Sequence, residues 1–271
     1  MKTAPIASLV ILCHNDGDYL KECLQNVSRH AKVPYEVIIV DNASAGASAK
    51  YVKSLVRRTA FTVIRNKENL YFAAGNNQGI EAARGKYVVL LNADAVVGPG
   101  WLELMIRCAE RDKKIGLVAP RTNGATSVQL VENPGYGSVA EFPAFARQWA
   151  RRHRGKSFAA HRLIAFCLLI KREIIETVGL LDERFGPGGY EDYDYCLRVQ
   201  QAGYKTVVAQ DVFVHHYGGK GYSNMDYDHH RRLNRELLAR KWSRHAFHVL
   251  DDMDGVRMAL TREAADAPSG A

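Results

Sequence analysis

The stretch YVVLLNADAVVGPGW, Tyr87–Trp101, places an apolar run directly before an asparagine and an aspartate. The run Tyr87 to Leu91 is short, rich in β-branched residues and bounded by turn formers, which predicts a buried strand of a parallel sheet. Asn92 and Asp94 then follow the carboxyl end of that strand, where open α/β sheets bind their ligands. Since Asp and Asn also end strands and begin turns, this stretch alone leaves a structural role and a binding role open.

Around this stretch, the first 120 residues alternate strand and helix patterns, which predicts βαβ units. The strand patterns are ASLVILC, YEVIIV, FTVIR, KYVVLL and IGLVAP. After residue 120 the alternation breaks. There we expect a turn-rich segment, a long strand within HRLIAFCLLIKR, a helix at EDYDYCLRVQQAG, two strands at KTVVAQ and VFVHH, and a basic helix from Asp228 to Arg244.

The length and composition predict one domain. A chain of 271 residues that is 47% hydrophobic can bury a single large core. We expect this domain to span 1–250, with a half at about 6–120, a second half at about 121–225 and a C-terminal helix at about 226–250. Residues 251–271 have the composition of a flexible tail.

Cysteine usage and the N-terminal pattern favour a cytoplasmic protein. The five cysteines are odd in number and scattered through apolar patterns, which favours reduced core thiols over a disulfide or zinc framework. The first apolar stretch is too short for a spanning helix and lacks a signal-peptide cleavage pattern.

The net charge of +8 is concentrated in one part of the sequence. Residues 142–172 contain eight Lys and Arg and no Asp or Glu, and the rest of the chain has 29 basic and 29 acidic residues. This segment is a candidate contact for phosphate, anionic lipid or nucleic acid, or an ordinary solvated helix face. No helix-turn-helix, zinc-finger or single-strand-binding signature accompanies it, so we expect no specific nucleic-acid partner.

Polar residues follow three of the predicted strands and would meet at one edge of a parallel sheet. Asp41 could accept a hydrogen bond from a base imide N–H. Asp94 could bind a divalent cation that bridges a diphosphate. The three groups are Cys13, His14 and Asn15; Asp41 and Asn42; and Asn92, Ala93 and Asp94.

The order of three segments resembles the family 2 glycosyltransferases, which have the A-type glycosyltransferase (GT-A) fold. The segments are VDNAS, NKENLYFAAGNNQGIEAARGKYVVLLNAD and FGPGGYEDYDYCLRVQQAGYKT, and the similarity covers roughly residues 6–220. The group most resembled is the bacterial rhamnosyltransferase-like enzymes that build surface polysaccharides. The resemblance implies an α/β fold with a mostly parallel central sheet flanked by helices and a smaller acceptor-side half. It also implies inverting transfer of a sugar from a UDP- or dTDP-sugar to an acceptor hydroxyl.

The resemblance assigns the donor site to the first half of the chain. Asp94 occupies the position of a DXD-type motif that binds Mn²⁺ or Mg²⁺ and the sugar-nucleotide diphosphate, but Asn92 replaces the first Asp. An uncharged Asn should weaken cation binding. Asn76 and Asn77 are expected to open a helix beside the donor, and Tyr71 stands where Gly is usual. The implied nucleotide-sugar contacts are Cys13, His14, Asn15, Asp41, Asn42, Asn69, Asn76, Asn77, Asn92, Ala93 and Asp94.

The same resemblance places the acceptor-side carboxylates at Glu191 and Asp192. Asp192 is the expected catalytic base, and Glu191 is the alternate base or a holder of an acceptor hydroxyl. Acidic residues in a first helical turn also stabilise the helix dipole, which is the structural alternative. His216 fits a His-x-Gly-Gly pattern that completes the metal site. His215 is the alternate and would point to the opposite face of a strand. Lys220 and Tyr222 are expected to close over the diphosphate.

Two other enzyme classes lack their motifs. A dinucleotide-dependent oxidoreductase needs G-x-G-x-x-G after the first strand, and a nucleotidyltransferase usually has a Gly- and Lys-rich phosphate loop at the same place. This chain has CHNDGD after its first strand, which fits neither. Because Asn92 replaces the first Asp of the motif, a catalytically degenerate binding protein stays open as an alternative.

Residues 142–172 are expected to receive a glycan, lipid-linked or protein acceptor, with peripheral contact at the inner membrane face. The oligomeric state stays open.

Overall fold

The computed structural model describes residues 4–58, 61–125, 127–218 and 227–242. Within these ranges, nine strands form one sheet in the order β3-β2-β1-β4-β8-β6-β9-β5, and β7 pairs with β9 off this path. The strands are β1 Ala7–Cys13, β2 Tyr35–Asp41, β3 Phe61–Arg65, β4 Tyr87–Asn92, β5 Ala95–Val97, β6 Ile115–Arg121, β7 Ser157–Ala159, β8 Cys167–Lys171 and β9 Lys205–His216.

Strands β1 to β4 pair in parallel, as the alternation of strand and helix patterns predicts. The apolar residues of β1 and β4, in the middle of the sheet, are almost all buried, so each of these strands reads as a continuous hydrophobic run, whereas those of the edge strand β3 are partly exposed. Strand β8 then pairs antiparallel with both β4 and β6, and β9 pairs parallel with β6. Short strands β5 and β7 pair antiparallel with opposite halves of β9. The sheet is therefore mixed, with four parallel and four antiparallel pairings: six of its nine strands run in one direction, and β5, β7 and β8 run in the other.

Helices cover both faces of the sheet. They are α1 Gly17–His30, α2 Gly46–Val56, α3 Tyr71–Ala82, α4 Trp101–Ala109, α5 Phe142–Arg152, α6 Arg172–Val178, α7 Glu191–Gln201 and α8 Tyr227–Trp242, with a 3₁₀ turn at Glu183–Phe185. One apolar cluster packs α1, α2 and α4 on the sheet, and a second cluster packs α3, α6 and α7 on the other face. Helix α1 shows why: Leu20, Cys23, Leu24 and Val27 follow helical spacing and are all buried.

Several element predictions need correction. The segments KTVVAQ and VFVHH form one strand, β9, because a register shift between Pro120 and Arg121 of β6 accommodates extra residues without ending the ladder. Of HRLIAFCLLIKR, only Cys167–Lys171 is a strand. The C-terminal helix is described over Tyr227–Trp242, and residues 243–271, which include the expected tail, lie outside the described residues.

The five cysteines are buried and free, which confirms the prediction of core thiols rather than a disulfide framework. None of the helices in the described ranges is long and apolar enough to cross a membrane.

Candidate active site at the carboxyl edge of the sheet

Asp41 ends β2 and is fully buried. Its Oδ1 accepts a hydrogen bond from the Ser44 amide at 2.9 Å, and its Oδ2 accepts one from Arg65 Nε at 3.1 Å. A carboxylate has about four lone-pair sites, so these two bonds hold Asp41 in place and leave acceptor capacity for a ligand.

Asn42 ties the ends of β1 and β2 to the start of α3. Its Nδ2 donates to the Tyr71 carbonyl at 3.0 Å, and its Oδ1 accepts from Asn66 Nδ2 at 2.8 Å. The Asn42 carbonyl lies 2.5 Å from Nδ1 of His14, and Asn15 Oδ1 accepts from the Ala45 amide at 2.8 Å. The loops that follow β1 and β2 are therefore cross-linked by the residues predicted to contact the nucleotide.

This edge also concentrates left-handed backbone. Of the five non-glycine residues with positive φ in the described chain, four lie in loops or at a helix start at this edge: Asn15, Ala43, Tyr71 and Tyr190, with φ between 59° and 77°. Such conformations cost about 1–3 kcal/mol each and cluster at functional sites. Tyr71 has φ 62°, which explains why a glycine suits this position in the resembled motif.

The pairing of β5 with β9 brings Asp94 beside His216. Ala95 is the partner of His216 in this ladder, and the Asp94 Oδ1 lies 3.2 Å from His216 Nε2. Asp94 Oδ2 accepts from the Gly218 amide at 3.1 Å. Asn92 Nδ2 lies 3.3 Å from the same His216 Nε2. The strand end predicted from LLNAD therefore forms one cluster with His216.

His216 is oriented by its second ring nitrogen. Its Nδ1 lies 2.7 Å from the Gly124 carbonyl, so Nδ1 carries the proton and donates it. Burial lowers the pKa of this imidazole, but the hydrogen bond and charge of Asp94 and the Gly124 carbonyl outweigh it, so the pKa is raised. The neutral tautomer presents the Nε2 lone pair beside Asp94, which is the geometry of a metal-binding histidine.

His215 faces the other side of β9, as strand alternation predicts. Its Nδ1 lies 2.6 Å from the Tyr136 hydroxyl, within an aromatic cluster around Phe142 and Phe213. Burial and the neighbouring His216 lower its pKa. Of the two histidines, His216 is the one that meets Asp94.

The acceptor-side carboxylates begin α7 and are both buried, at 5% exposure for Glu191 and 8% for Asp192. Burial raises the pKa of both, and the charge of Asp192 raises that of Glu191 further, to about 8. The positive charge of Arg162 opposes these shifts. Asp192 also accepts hydrogen bonds from the amides of Tyr193 and Ala165, at 2.7 and 3.4 Å. Hydrogen bonds from two backbone amides favour the charged form of Asp192, whereas Glu191 Oε2 has no hydrogen-bond partner in the described residues, which makes Asp192 the better candidate base.

Residues just before β8 join the two carboxylate sites. The Ala165 amide donates to Asp192, and the next residue, Phe166, accepts a hydrogen bond from the Asn92 amide at 2.8 Å. The Phe166 ring stacks on His216, with centroids 4.7 Å apart and planes at 21°. Asp94 and Asp192, 98 positions apart in the chain, are thus linked through the contacts of Ala165 and Phe166.

Residues 8–179 match the sequence model described as Glycosyl transferase family 2. The chain belongs to this family. Its sheet and helices are similar to solved GT-A glycosyltransferases, which establishes the fold. GalNAc-T7, solved with UDP, GalNAc and Mn²⁺, matches with a TM-score of 0.64 at 17% identity, over 83% of this chain and 46% of that one. The mannosyltransferase PcManGT from Pyrobaculum calidifontis, in complex with GDP-Man and Mn²⁺, matches with a TM-score of 0.62 at 20% identity, over 87% and 62%.

Curated relatives of this family 2 chain differ widely in length. The uncharacterized protein y4gI of Sinorhizobium fredii is 27% identical over 91% of this chain and 28% of its own length. The uncharacterized glycosyltransferase MJ1057 of Methanocaldococcus jannaschii is 24% identical over 78% of this chain and 70% of its own. A poly-beta-1,6-N-acetyl-D-glucosamine synthase of Staphylococcus aureus is 28% identical over 45% of this chain and 30% of its own. The chain thus spans less than a third of the first and last of these.

The family 2 resemblance misplaced two asparagines relative to α3. The helix begins at Tyr71, so Asn76 and Asn77 lie inside it rather than opening it, because the aromatic and alanine residues before them are already helical. Asn76 Nδ2 donates to the Phe72 carbonyl. Asn77 Nδ2 donates to the Leu181 carbonyl and to Glu183 Oε1, and Asn77 Oδ1 accepts from the Leu181 amide. Asn77 therefore attaches α3 to the acceptor half. Asn69 instead caps the start of the helix, since its Oδ1 accepts from the Tyr71 amide at 2.9 Å.

Cys13 and Ala93 line the site from the core side. Cys13 is 2% exposed, and burial together with Asp41 raises the pKa of its thiol far above the ordinary value, so it stays protonated. Ala93 is 3% exposed and belongs to the same apolar cluster as Cys13.

The basic segment is smaller than its sequence suggests. Lys171 and Arg172 lie at the opposite edge, because β8 runs antiparallel to β4 and places Lys171 beside Tyr87. Lys171 is 6% exposed, and Arg172 donates to the carbonyls of Ala83 and Gly85. The prediction of a single patch over 142–172 is therefore wrong. The exposed basic patch on and after α5 consists of Arg147, Arg151, Arg152, Arg154 and Lys156.

Two contributors to the site were missed by sequence reasoning. Arg162 was counted only as part of the basic run, yet its charge acts on Glu191 and Asp192. Phe166 lies in an apolar pattern with no local signal of a role beside His216. Lys220 and Tyr222, expected over the diphosphate, lie outside the described residues, as does Gly219 of the His-x-Gly-Gly pattern.

Proposed function

We propose that this chain transfers a sugar from a UDP- or dTDP-sugar to an acceptor hydroxyl with inversion at the anomeric carbon. The observation that carries the proposal is the set of contacts through which Ala165 and Phe166 connect Asp192 to Asn92 and His216. Membership of family 2 supports sugar transfer. The polysaccharide synthase among the relatives supports a role in surface polysaccharide or glycoconjugate synthesis.

The donor nucleotide would lie across the ends of β1, β2 and β4. Asp41 is oriented to accept from a base N–H, and the cross-linked loop of His14, Asn15 and Asn42 would lie along the nucleoside. These groups are held by protein hydrogen bonds before any ligand arrives, which lowers the entropic cost of binding.

The residues beside Asp94 fit a divalent cation such as Mn²⁺ or Mg²⁺. Asp94 offers an oxygen and His216 a correctly oriented Nε2, 3.2 Å apart. The described residues contain no group of three or more His, Cys, Asp or Glu that could hold a metal, so these two would hold it together with donor oxygens. When bound, the cation supplies charge neutralisation for the departing diphosphate. Asn92 would orient the imidazole rather than add charge.

Asp192 would act as the base. As the acceptor oxygen attacks the anomeric carbon, the bond from that carbon to the diphosphate breaks and the hydroxyl proton passes to Asp192. The raised pKa of Glu191 keeps that neighbour protonated at neutral pH, so it can donate a hydrogen bond to the acceptor without competing for the proton. A single displacement needs no covalent enzyme intermediate.

The exposed arginines of α5 would meet an anionic acceptor, such as a lipid-linked diphosphate glycan presented at the inner membrane face. Arg147, Arg151, Arg152 and Arg154 are exposed and form no ion pair shorter than 4 Å within the described residues. Glycan and protein acceptors fit the same surface where they carry acidic groups.

The test is nucleoside diphosphate release from UDP-, dTDP- and GDP-sugars, with Mn²⁺, with Mg²⁺ and with a chelator. We expect release from one donor that requires the cation and is lost in Asp94→Ala, whereas Asp192→Asn retains donor binding and loses transfer. Asp112→Asn, at the opposite edge of the sheet, is the matched carboxylate control. No binding of any donor would instead support a catalytically degenerate binding protein.

A further inference from the structure

The loop that delivers Glu191 and Asp192 has an unusual backbone. Gly186, Gly188, Gly189 and Tyr190 all have positive φ, at 50°, 121°, 93° and 77°. Glycine tolerates these conformations but does not prefer them strongly, so such a loop has many alternatives unless other groups hold it. The position of both carboxylates therefore depends on what contacts residues 185–190.

Asn234 of α8 bonds both ends of the turn within this loop. The Gly188 amide donates to the Phe185 carbonyl at 3.2 Å, which closes a four-residue turn. Asn234 Nδ2 donates to the Phe185 carbonyl at 2.6 Å and to the Gly188 carbonyl at 3.0 Å. Asn234 is 7% exposed, so these bonds are shielded from water. One amide group therefore uses both of its donors on one turn.

The remaining contacts of α8 lie on the same helix face and hold the elements on either side of the turn. Leu238 is fully buried against Phe185, Tyr190 and Tyr193. Lys241 Nζ lies 2.7 Å from a carboxylate oxygen of both Asp182 and Asp194. Trp242 Nε1 donates to Asp194 Oδ1 at 2.8 Å. Positions 234, 238, 241 and 242 follow helical spacing, so one stripe of α8 contacts the chain before and after the catalytic pair.

We propose that Asn234 is a positioning residue that sets the location of Asp192 and Glu191 by fixing the turn at Phe185–Gly188. This proposal rests on the proposed function only in naming Asp192 as the base. Apolar packing by Leu238 would stabilise the loop without selecting one turn geometry. The paired hydrogen bonds of Asn234 are directional and select the observed one. No described contact of Asn234 involves the donor side of the site, so its effect is confined to the acceptor side.

The experiment compares Asn234→Ala, Asn234→Ser and the control Leu233→Ala. Leu233 is the adjacent residue on α8, is 45% exposed and has no assigned role in the site. Hydrogen exchange of the peptide spanning 185–193 is measured first, and then transfer kinetics, donor binding and the pH profile of kcat. Asn234→Ser retains one hydroxyl donor and keeps the measurement available if the alanine variant does not fold.

We expect faster exchange over 185–193 and a fall in transfer kcat of about 10- to 100-fold for Asn234→Ala, because small displacements of a catalytic group have effects of this size. The pH profile of kcat should shift, since the environment of the carboxylates changes, while nucleoside diphosphate affinity stays at the wild-type value. Asn234→Ser should lie between, and Leu233→Ala should match wild type.

Unchanged exchange, or increased exchange with unchanged kcat and pH profile, would overturn the positioning role. A fall in kcat accompanied by an equal loss of donor affinity would also overturn it, since that result indicates general damage. If wild type neither binds nor cleaves any donor, the proposed function fails, but exchange over 185–193 still decides whether Asn234 holds the turn.

Discussion

Replacing Glu191 with glutamine should stabilise the protein at neutral pH. The side chain is 5% exposed, and its Oε2 has no hydrogen-bond partner in the described chain. Burial first, and then the charge of Asp192, raise the pKa of Glu191 from 4.5 to about 8. A carboxyl whose pKa is higher in the folded than in the unfolded protein contributes stability below the unfolded pKa. That contribution is lost as pH rises toward the folded pKa. The protonated carboxyl of Glu191 therefore lowers the free energy of unfolding at neutral pH.

The size of the effect follows from that pH interval. At pH 7 the unfolded carboxyl is ionised, and retaining the proton from pH 4.5 to pH 7 costs roughly 3 kcal/mol at about 1.4 kcal/mol per pH unit. Glutamine occupies the same space without this cost. Glu191→Gln should thus gain up to roughly 3 kcal/mol at pH 7, or about 6–12 °C in Tm, and almost nothing at pH 4.5.

Denaturant unfolding at pH 4.5, 6 and 7 measures the difference directly. Glu176→Gln is the control, because Glu176 is an exposed carboxyl on α6, and surface changes of this kind stay within about 0.5 kcal/mol. A glutamine variant no more stable than wild type at pH 7, or an advantage that grows as pH falls, would refute the reasoning. Either result would mean that the pKa of Glu191 is not raised in the native protein.

Three further predictions concern the donor side, the cation and the acceptor. A Cβ at Gly75 would lie 2.5 Å from Leu12 Cδ1 and 2.9 Å from Asn42 Nδ2, whereas the three atoms nearest to a Cβ at Gly79 all belong to Val10, the nearest at 2.2 Å. In both alanine variants the free energy of unfolding should therefore fall by about 1–3 kcal/mol, offset in part by a helix-propensity gain of up to about 1 kcal/mol. Calorimetry should find weaker nucleotide binding only in Gly75→Ala, and equal weakening in both variants would contradict this. Asn92→Asp adds a carboxylate beside Asp94 and should tighten Mn²⁺ binding in a titration monitored by calorimetry, and unchanged affinity would place the cation elsewhere. Replacing Arg151, Arg152 and Arg154 with Gln should raise the KM for an anionic acceptor and reduce sedimentation with anionic liposomes, more so at low salt, whereas unchanged values would make these arginines an ordinary solvated surface.

Local patterns predicted the strands and helices of the first half of the chain well because their determinants are local. Strands buried on both faces must be continuous apolar runs, and helices on those faces must repeat their apolar residues with a period near 3.6. The carboxyl-edge rule then located Asp41, Asn42 and Asp94 without any knowledge of contacts. Strand alternation likewise separated His216 from His215, and the structure places His216 beside Asp94.

Other features depend on long-range pairing and gave no local signal. The continuity of β9 depends on a register shift against β6, and β5 exists only because Ala95–Val97 pairs with the end of β9. Asn234 reads as an ordinary polar residue in a basic helix. Its partners, the carbonyls of Phe185 and Gly188, are 49 and 46 residues away. The spacing of Leu233, Leu237, Leu238 and Trp242 predicts an apolar stripe on this helix, but Leu233 is 45% exposed and Asn234 is buried.

The direction of β8 explains why the basic patch was predicted too large and why Ala165 and Phe166 lie at the ligand edge of the sheet. In an all-parallel sheet, the carboxyl end of this strand, with Lys171 and Arg172, would lie at the ligand edge and add charge to the basic patch. Because β8 runs antiparallel to β4, its amino end lies there instead, and Ala165 and Phe166 come beside Asn92, His216 and Asp192. The segment before β8 thereby contacts both Asn92, which ends β4, and Asp192, which lies in the first turn of α7. The reversal of β8 therefore places at the ligand edge the two residues that link Asp192 to Asn92 and His216, as the proposed transferase site requires.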